Sequence, residues 1–405
     1  MLATQHEVGF RQNAMSKVFV AMSGGVDSSV SAALLAEAGH DVTGVFIKTW
    51  HPEFLVCSWR EERNDAMRVC ADLRIPFLTC DLEEVYKREV ADYMIDEYRR
   101  GRTPNPDVMC NQHVKFGAFF RWARAQGADV IATGHYARVA LCAAREAPSS
   151  KLQIPNKFQT PSSKTQTEGS YQLPTTNYKL LKGVDEQKDQ SYFLWTLSQE
   201  VLSRTLFPVG SIQKAEVRAY ALSHGISVAQ KKDSQGVCFL GEVDMKAFLK
   251  RFISVTPGDV LDEAGNVIGE HEGALLYTFG ERHGFTVTAK TPVDGPRYVI
   301  AKDTQKNTIT VSERPHEAKC ALATRVSLEN VNWVRGASPE EERELMCRFR
   351  YRQPLSPCRV ESDANGTSVI FNAPMSFVTP GQSLVIYDGD ECLGGGIMGN
   401  PENAA

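Results

Sequence analysis

The sequence has no apolar run near the roughly 20 residues that would span a bilayer, which excludes a transmembrane helix from the expectation. Residues 1–16 lack the apolar core of a secretory signal, and with Glu7 present they make a poor Arg-rich transit peptide. A short disordered leader before Met15 is expected there, and an organellar address stays open. The ten cysteines, at 57, 70, 80, 110, 142, 238, 320, 347, 358 and 392, include no C-x-x-C pair. Their spacing argues against a zinc ribbon or other metal site and against a secreted disulfide framework, and for reduced thiols in a cytoplasmic chain. Neither sign of charge dominates, since 45 basic and 49 acidic residues leave a net −4. A nucleic-acid partner must therefore be held by a local basic surface. No internal repeat is visible.

What is present is a soluble globular composition, 42% hydrophobic and 23% charged, over 405 residues, enough for two or three domains. The chain is organised around Ser23-Gly24-Gly25-Val26-Asp27-Ser28. An apolar run, Lys17 to Met22, precedes it and reads as a buried strand, while Ser29 to Glu37 reads as a helix. A strand, a glycine turn and a helix make an anion site, because the N–H groups of the turn and first helical turn point at whatever phosphate sits there. Val26 and Asp27 stand where a Walker loop would need its lysine. The SGGxDS pattern resembles instead the pyrophosphate loop of the ATP pyrophosphatases, which cleave ATP between the α and β phosphates and leave AMP on a substrate oxygen.

Further strands are expected at Asp41 to Ile47, Ile75 to Cys80 and Asp129 to Thr133, with helices over Arg60 to Leu73, Leu82 to Arg99 and Val114 to Gln126. Such alternation predicts an α/β fold, a doubly wound parallel sheet of Rossmann type with ligands at the carboxyl ends of its strands. Gly101 to Asn111 holds two prolines and a glycine and reads as an extended loop, which would put Cys110 just before a helix N-terminus, where the dipole lowers a thiol pKa. Residues 142–178, rich in Ser, Thr, Gln, Pro and Lys, read as a disordered surface insertion. Helices are expected over Gln190 to Leu197 and Gln213 to Ser223. Turn clusters after about Met245 suggest a small linking domain, and short runs from about 316 suggest a closed β-barrel. The expected division is thus 17–245, 246–315 and 316–405.

Cys110 and Cys238 each lie in a glycine or proline loop among polar residues, whereas Cys57, Cys70 and Cys80 read as core fillers. From spacing alone, a chemical and an inert role for the two loop cysteines are evenly matched. The longer motifs settle more. SGGVDSS, TPNPDVMCN followed by KFG, ATGHYAR, KDQSYFL, KKDSQGVCFLGE, RYRQ, VTPGQ and CLGGG occur in the order found in the tRNA-specific 2-thiouridylases, and the chain resembles that family from about residue 17 to 396. It departs from the family in the length of the 142–178 insertion, and at Gly280-Glu281-Arg282-His283-Gly284, where the family tends to carry Gln and Lys.

The resemblance implies replacement of oxygen by sulfur at C2 of the wobble uridine of tRNA, with ATP and Mg²⁺ used to adenylate that oxygen. It implies ATP contacts from Ala21, Met22, Ser23, Gly24, Gly25, Val26, Asp27 and Ser28, with Ile47 and Gly134 at adenine and ribose. It implies a persulfide on Cys238, attack on it by Cys110 with a transient Cys110–Cys238 disulfide, and Asp107 as acid or base. Target-base contacts fall on Asn105, Pro106 and Asp107, and other tRNA contacts on His135, Lys188, Asp189, Gln190, Arg350, Tyr351 and Gln382. Implied partners are tRNA and a sulfur donor, either a cysteine desulfurase or a relay protein. An iron–sulfur cluster on Asp107, Cys110 and Cys238 is a variant of the same scheme. His113 and His283 read as ordinary surface residues. Two rival readings share the glycine loop or the barrel: an amide- or amidine-forming ATP pyrophosphatase, and an RNA-binding relic without chemistry.

Overall fold

A computed structural model describes residues 15–55, 59–142, 177–233, 244–288, 295–318, 322–340, 343–364 and 366–403. Its first sheet is built from the short Val- and Ile-rich runs of the amino-terminal half: β1 (Lys17–Ala21), β2 (Asp41–Lys48), β3 (Phe77–Asp81) and β4 (Val130–Ala132). Next come β5 (Ala137–Leu141) and β6 (Tyr178–Lys182), which belong elsewhere, and then β7 (Thr205–Leu206). The order is β3-β2-β1-β4-β7, every neighbouring pair parallel.

Alternation along each strand sends its side chains into two separate cores. Val18, Val20, Val42, Phe46, Val130 and Ala132 meet α1 (Val26–Glu37) and α2 (Trp59–Asp72) on one face. Phe19, Val45, Ile47 and Ile131 meet residues of the helices over 83–99 and 106–125, such as Val90, Val114 and Phe119, on the other. The sheet is therefore doubly wound, as the strand and helix alternation predicts. Cys70 and Cys80 are buried in these two cores, and burial pushes each thiol up to about 12, which fits fillers.

Two local expectations are corrected. The extended loop expected over 101–111 ends at Asn105, because Asn105 caps a helix that opens with Pro106: its Oδ1 accepts the Val108 N–H at 3.2 Å. Proline suits that first position, where its missing N–H would have had no helical partner. The helix continues to 125, with a π-wound stretch from Cys110 to Phe119. Cys110 thus lies inside the helix, a turn past the N-terminus that was expected to follow it. The helix expected over Gln190 to Leu197 is a single 3₁₀ turn, Ser191–Phe193, since Asp189 takes the N–H groups of Gly183 (3.0 Å) and Ser191 (3.1 Å) and holds the chain in a turn.

The middle of the chain forms a second sheet from β8 (Gly258–Leu261), β9 (Val267–His271), β10 (Phe285–Val287), β11 (Tyr298–Asp303) and β12 (Thr308–Ser312), in the order β10-β9-β8-β12-β11. It packs Val260, Tyr277 and Val311 on Met94, Ile95 and Tyr98 of the helix over 83–99. Six more strands follow: β13 (Leu322–Trp333), β14 (Leu345–Arg348), β15 (Ser356–Asp363), β16 (Gly366–Ser376), β17 (Ser383–Asp388) and β18 (Glu391–Asn403). They run antiparallel in the order β13-β16-β15-β14-β17-β18, and β13 pairs again with β18 to close a barrel. The β5–β6 hairpin adds to this sheet through β6 against β18. Its ends are joined at Leu141 and Tyr178, and by the Cys142 N–H on the Asn177 carbonyl at 2.8 Å. Nearly all of the insertion expected at 142–178 lies outside the described residues. Among the described residues no helix is long and apolar enough to cross a membrane.

Candidate active site

Between β1 and α1 the glycine turn is shaped for close approach. Gly24 has φ +71°, and a Cβ there would lie 2.3 Å from the Glu62 carbonyl oxygen of α2, so both handedness and space require glycine. Gly25 is the N-cap of α1 and no side chain caps it, which leaves the first N–H groups of a 12-residue helix without a side-chain acceptor at the cap. Hydroxyls brace the turn: Ser29 Oγ donates to the Gly25 carbonyl at 2.7 Å, and Ser28 Oγ lies 3.3 Å from both Ser23 N and Ser23 Oγ. Gly134, just past β4, closes the other wall. A Cβ on it would sit 2.6 Å from Ser28 N and 2.8 Å from the Asp27 carbonyl carbon.

A cluster of opposite charges flanks the turn. Asp27 accepts from Tyr136 Oη at 2.7 Å and from Lys214 Nζ at 2.7 and 2.9 Å. Lys214 also reaches Asp233 at 2.8 Å, and Asp233 takes Lys188 at 2.7 Å and Arg218 at 2.6 Å. Burial pushes the Asp233 carboxyl up, but hydrogen bonds from Lys188 and Lys214 outweigh it and hold it at about 2. Burial and the Asp27 carboxylate push the Tyr136 hydroxyl well up, so it stays a donor. Lys231 donates to the Gly24 carbonyl at 3.1 Å and pairs with Asp65 at 2.8 Å.

The start of the helix over 106–125 lies at the same edge of the sheet. This helix is about 30 Å long and ends where β4 begins, so its first turns lie toward the carboxyl edge of the sheet, as the glycine turn does. Cys110 is fully buried there, in one core cluster with Ile47, Val108 and Tyr192. Asp107 is half-buried. Cys238 and all of 234–243 lie outside the described residues.

With this arrangement established, likeness to known proteins becomes decisive. Residues 16–242 match the family model described as a tRNA methyl transferase HUP domain, 246–313 its PRC-barrel domain, and 323–398 an aminomethyltransferase beta-barrel domain. The tRNA-specific 2-thiouridylase MnmA of Geobacillus thermodenitrificans is 42% identical over 386 residues, 95% of this chain and 94% of its own. That of Bacillus cytotoxicus is 41% identical over the same span. The chain belongs to the tRNA-specific 2-thiouridylase family. A solved 4-thiouridine synthetase in complex with RNA and ATP covers 58% of this chain and 50% of its own at 17% identity, with a TM-score of 0.32.

The tRNA contacts that 2-thiouridylase membership suggests do not all face solvent. Lys188 is paired with Asp233, and Arg350 is half-buried, donating to the Phe279 carbonyl at 2.6 Å with its guanidinium 5.5 Å from the Phe377 ring. Tyr351 packs its ring 4.7 Å from Phe193. Gln190 accepts the Tyr136 N–H at 3.0 Å. His135, 8% exposed, packs in a cluster with the rings of Phe116 and Phe207, and burial holds it well below its usual pKa and so neutral. Asp189, 3% exposed, is bound by Ser191 and Arg348 and ties the amino-terminal unit to β14 of the barrel. Gln382 donates from Nε2 to the carbonyls of Thr103 (3.1 Å) and Pro104 (2.8 Å).

Sequence reasoning missed the charged frame around Asp27. Tyr136, Lys231 and Asp233 stand inside quoted motifs, so the signal was present without a role attached. Lys214 and Arg218 had none, because two cations one turn apart on a short helix read as a solvated face. Among the described residues no group of three His, Cys, Asp or Glu side chains is placed to hold a metal ion.

Proposed function

We propose that the protein is a tRNA-uridine 2-sulfurtransferase, with residues 17–245 as its ATP pyrophosphatase domain, 246–315 as a linking domain and 316–405 as an RNA-binding barrel. The observation that carries this reading is the uncapped start of α1 beside Gly24 and Gly134, at the same sheet edge as the helix that bears Cys110. Backbone N–H groups of Gly25 to Ser28 would bind the phosphates of ATP, with Ala21, Met22 and Ile47 beside the nucleoside. Asp27 carries the only carboxylate of the glycine turn and is already paired with Lys214 and Tyr136, so Mg²⁺, which supplies charge neutralisation on the phosphates when bound, would be held chiefly by the phosphates themselves.

A wobble uridine sits in a single-stranded loop and can be turned out toward Asn105, Pro106 and Asp107. Attack of its O2 on the α-phosphate forms the O2–P bond, breaks the α–β bridge and releases pyrophosphate. Cys238 carries sulfur as a persulfide received from a cysteine desulfurase or relay protein. Cys110 thiolate attacks the Cys238 sulfur, forming the Cys110–Cys238 disulfide and expelling hydrosulfide. Hydrosulfide attacks C2 of the adenylated base, AMP leaves with the former O2, and 2-thiouridine remains. A thiol reductant then restores both cysteines. Asp107 is the one carboxylate among the target-base residues and would move the proton.

The test is a reaction with ATP, Mg²⁺, a persulfide donor and unmodified tRNA, read by nucleoside mass analysis. Cys110→Ser and Cys238→Ser are expected to abolish the thionucleoside while pyrophosphate is still released and the adenylated tRNA accumulates. Thiolation undiminished in either variant would sink the scheme.

A further inference from the structure

Residues 101–104 are fastened one after another to the other two units of the molecule. Gly101, at φ +75°, lies so close to Thr304 in the β11–β12 turn that a Cβ would be 2.8 Å from its methyl group. Arg102 grips Glu329 of β13 through two hydrogen bonds, at 3.1 and 2.9 Å. Thr103 donates its N–H to the Pro380 carbonyl at 2.9 Å and sets its hydroxyl 3.0 Å from that of Thr278. Gln382 donates to the carbonyls of Thr103 and Pro104. A carboxamide nitrogen has two hydrogens, and here each has a protein carbonyl within reach. The next residue, Asn105, caps the helix, and Cys110 follows about 7 Å further along its axis.

We infer that Thr278 and Gln382 are positioning residues: together they clasp Thr103 and Pro104 and so set where Asn105, Asp107 and Cys110 stand relative to RNA held by the barrel. The inference rests on the thiolation reading, and it gives Gln382 a task within the protein beside the tRNA contact that the family resemblance implies. Thr103 is 6% exposed, so the clasp is shielded from water that could replace a lost partner. The region of the chain around Thr278, Tyr277 to Glu281, is itself anchored, by Lys302 on the Tyr277 carbonyl at 2.8 Å and by Arg350 on Phe279. A shift of the barrel turn 380–382 is thereby passed toward the helix cap through one side chain, that of Gln382, and one backbone bond, from the Thr103 N–H to the Pro380 carbonyl.

Thr278→Val removes the hydroxyl at nearly constant volume, Thr278→Ser restores it, and Gln382→Ala removes the carboxamide. In single-turnover thiolation the Val and Ala variants should be about five- to tenfold slower, the size expected of one or two lost buried hydrogen bonds. The equilibrium tRNA affinity of Thr278→Val should match the parent, and the Ser variant should recover the rate. Amide hydrogen exchange, read without RNA or ATP, should be faster at Thr103 and Val108 with β1 and β2 unchanged. A parental single-turnover rate at saturating tRNA in Thr278→Val and Gln382→Ala, or parental exchange at Thr103 and Val108 in both, would overturn the assignment. A parent protein that thiolates no tRNA would refute the functional reading instead, and the exchange measurement would still decide the clasp.

Discussion

Gly134→Ala tests the nucleotide loop with one methyl group. The added Cβ would lie 2.6 Å from Ser28 N and 2.8 Å from the Asp27 carbonyl carbon, where ordinary contact begins near 3.4 Å. Something must move by more than half an ångström, and both neighbours are backbone at the start of α1. Overpacking of this kind costs about 1–3 kcal/mol. The displaced group is also the N–H that would meet a phosphate, and a hydrogen bond to a charged partner is worth roughly 1.5–3 kcal/mol. Affinity for ATP with Mg²⁺, measured by calorimetry, should therefore fall by about 10- to 100-fold, with a lower melting temperature. Gly134 lies outside the left-handed region, so alanine brings no backbone strain and the effect is steric alone. A folded Gly134→Ala protein that binds ATP as the parent does would refute the placement of the phosphates at α1.

Three further outcomes follow from other parts of the molecule. Arg348→Met leaves Asp189 buried without its cation and should destabilise the protein by about 3–5 kcal/mol in denaturant titration; a cost below 1 kcal/mol would show that the seam is not held there. Burial lowers the Lys302 ammonium to about 8 against an ordinary 10.5, with Glu281 opposing. The unfolded chain then binds the extra proton between those values, so stability rises with pH from about 8 to 10, and the penalty is complete at pH 7. Lys302→Met should thus be more stable than the parent at pH 7, with the gap closing by pH 10; a gap independent of pH would contradict the assignment. Replacing residues 143–176 by a short glycine turn should leave both the melting temperature and thiolation near parental, because Cys142 and Asn177 are already joined; loss of thiolation would mean that the insertion takes part.

Periodicity made most of the fold legible. The parallel sheet, its flanking helices and the barrel strands all follow from apolar runs and turn residues, because each element buries one face or one stripe. Pro104-Asn105-Pro106 was misread for a definite reason: proline breaks a helix interior but favours the first position, and only the Asn105 cap tells the two apart. Asp189 shows a second limit. Its motif is visible, yet its carboxylate meets Arg348 across 159 residues of sequence, and no local pattern encodes such a pair. The same distance effect hid Lys214, whose partner Asp27 lies 187 residues away.

The pairing of β6 with β18 has a mechanical consequence. A strand ladder runs unbroken from the amino-terminal unit into the barrel, so swinging the two apart would tear backbone hydrogen bonds at Glu391 and Cys392 rather than flex a linker. Backbone pairing thus holds the amino-terminal unit and the barrel in one arrangement, and an RNA docked across both, as proposed, has to supply the deformation itself by unstacking one of its bases.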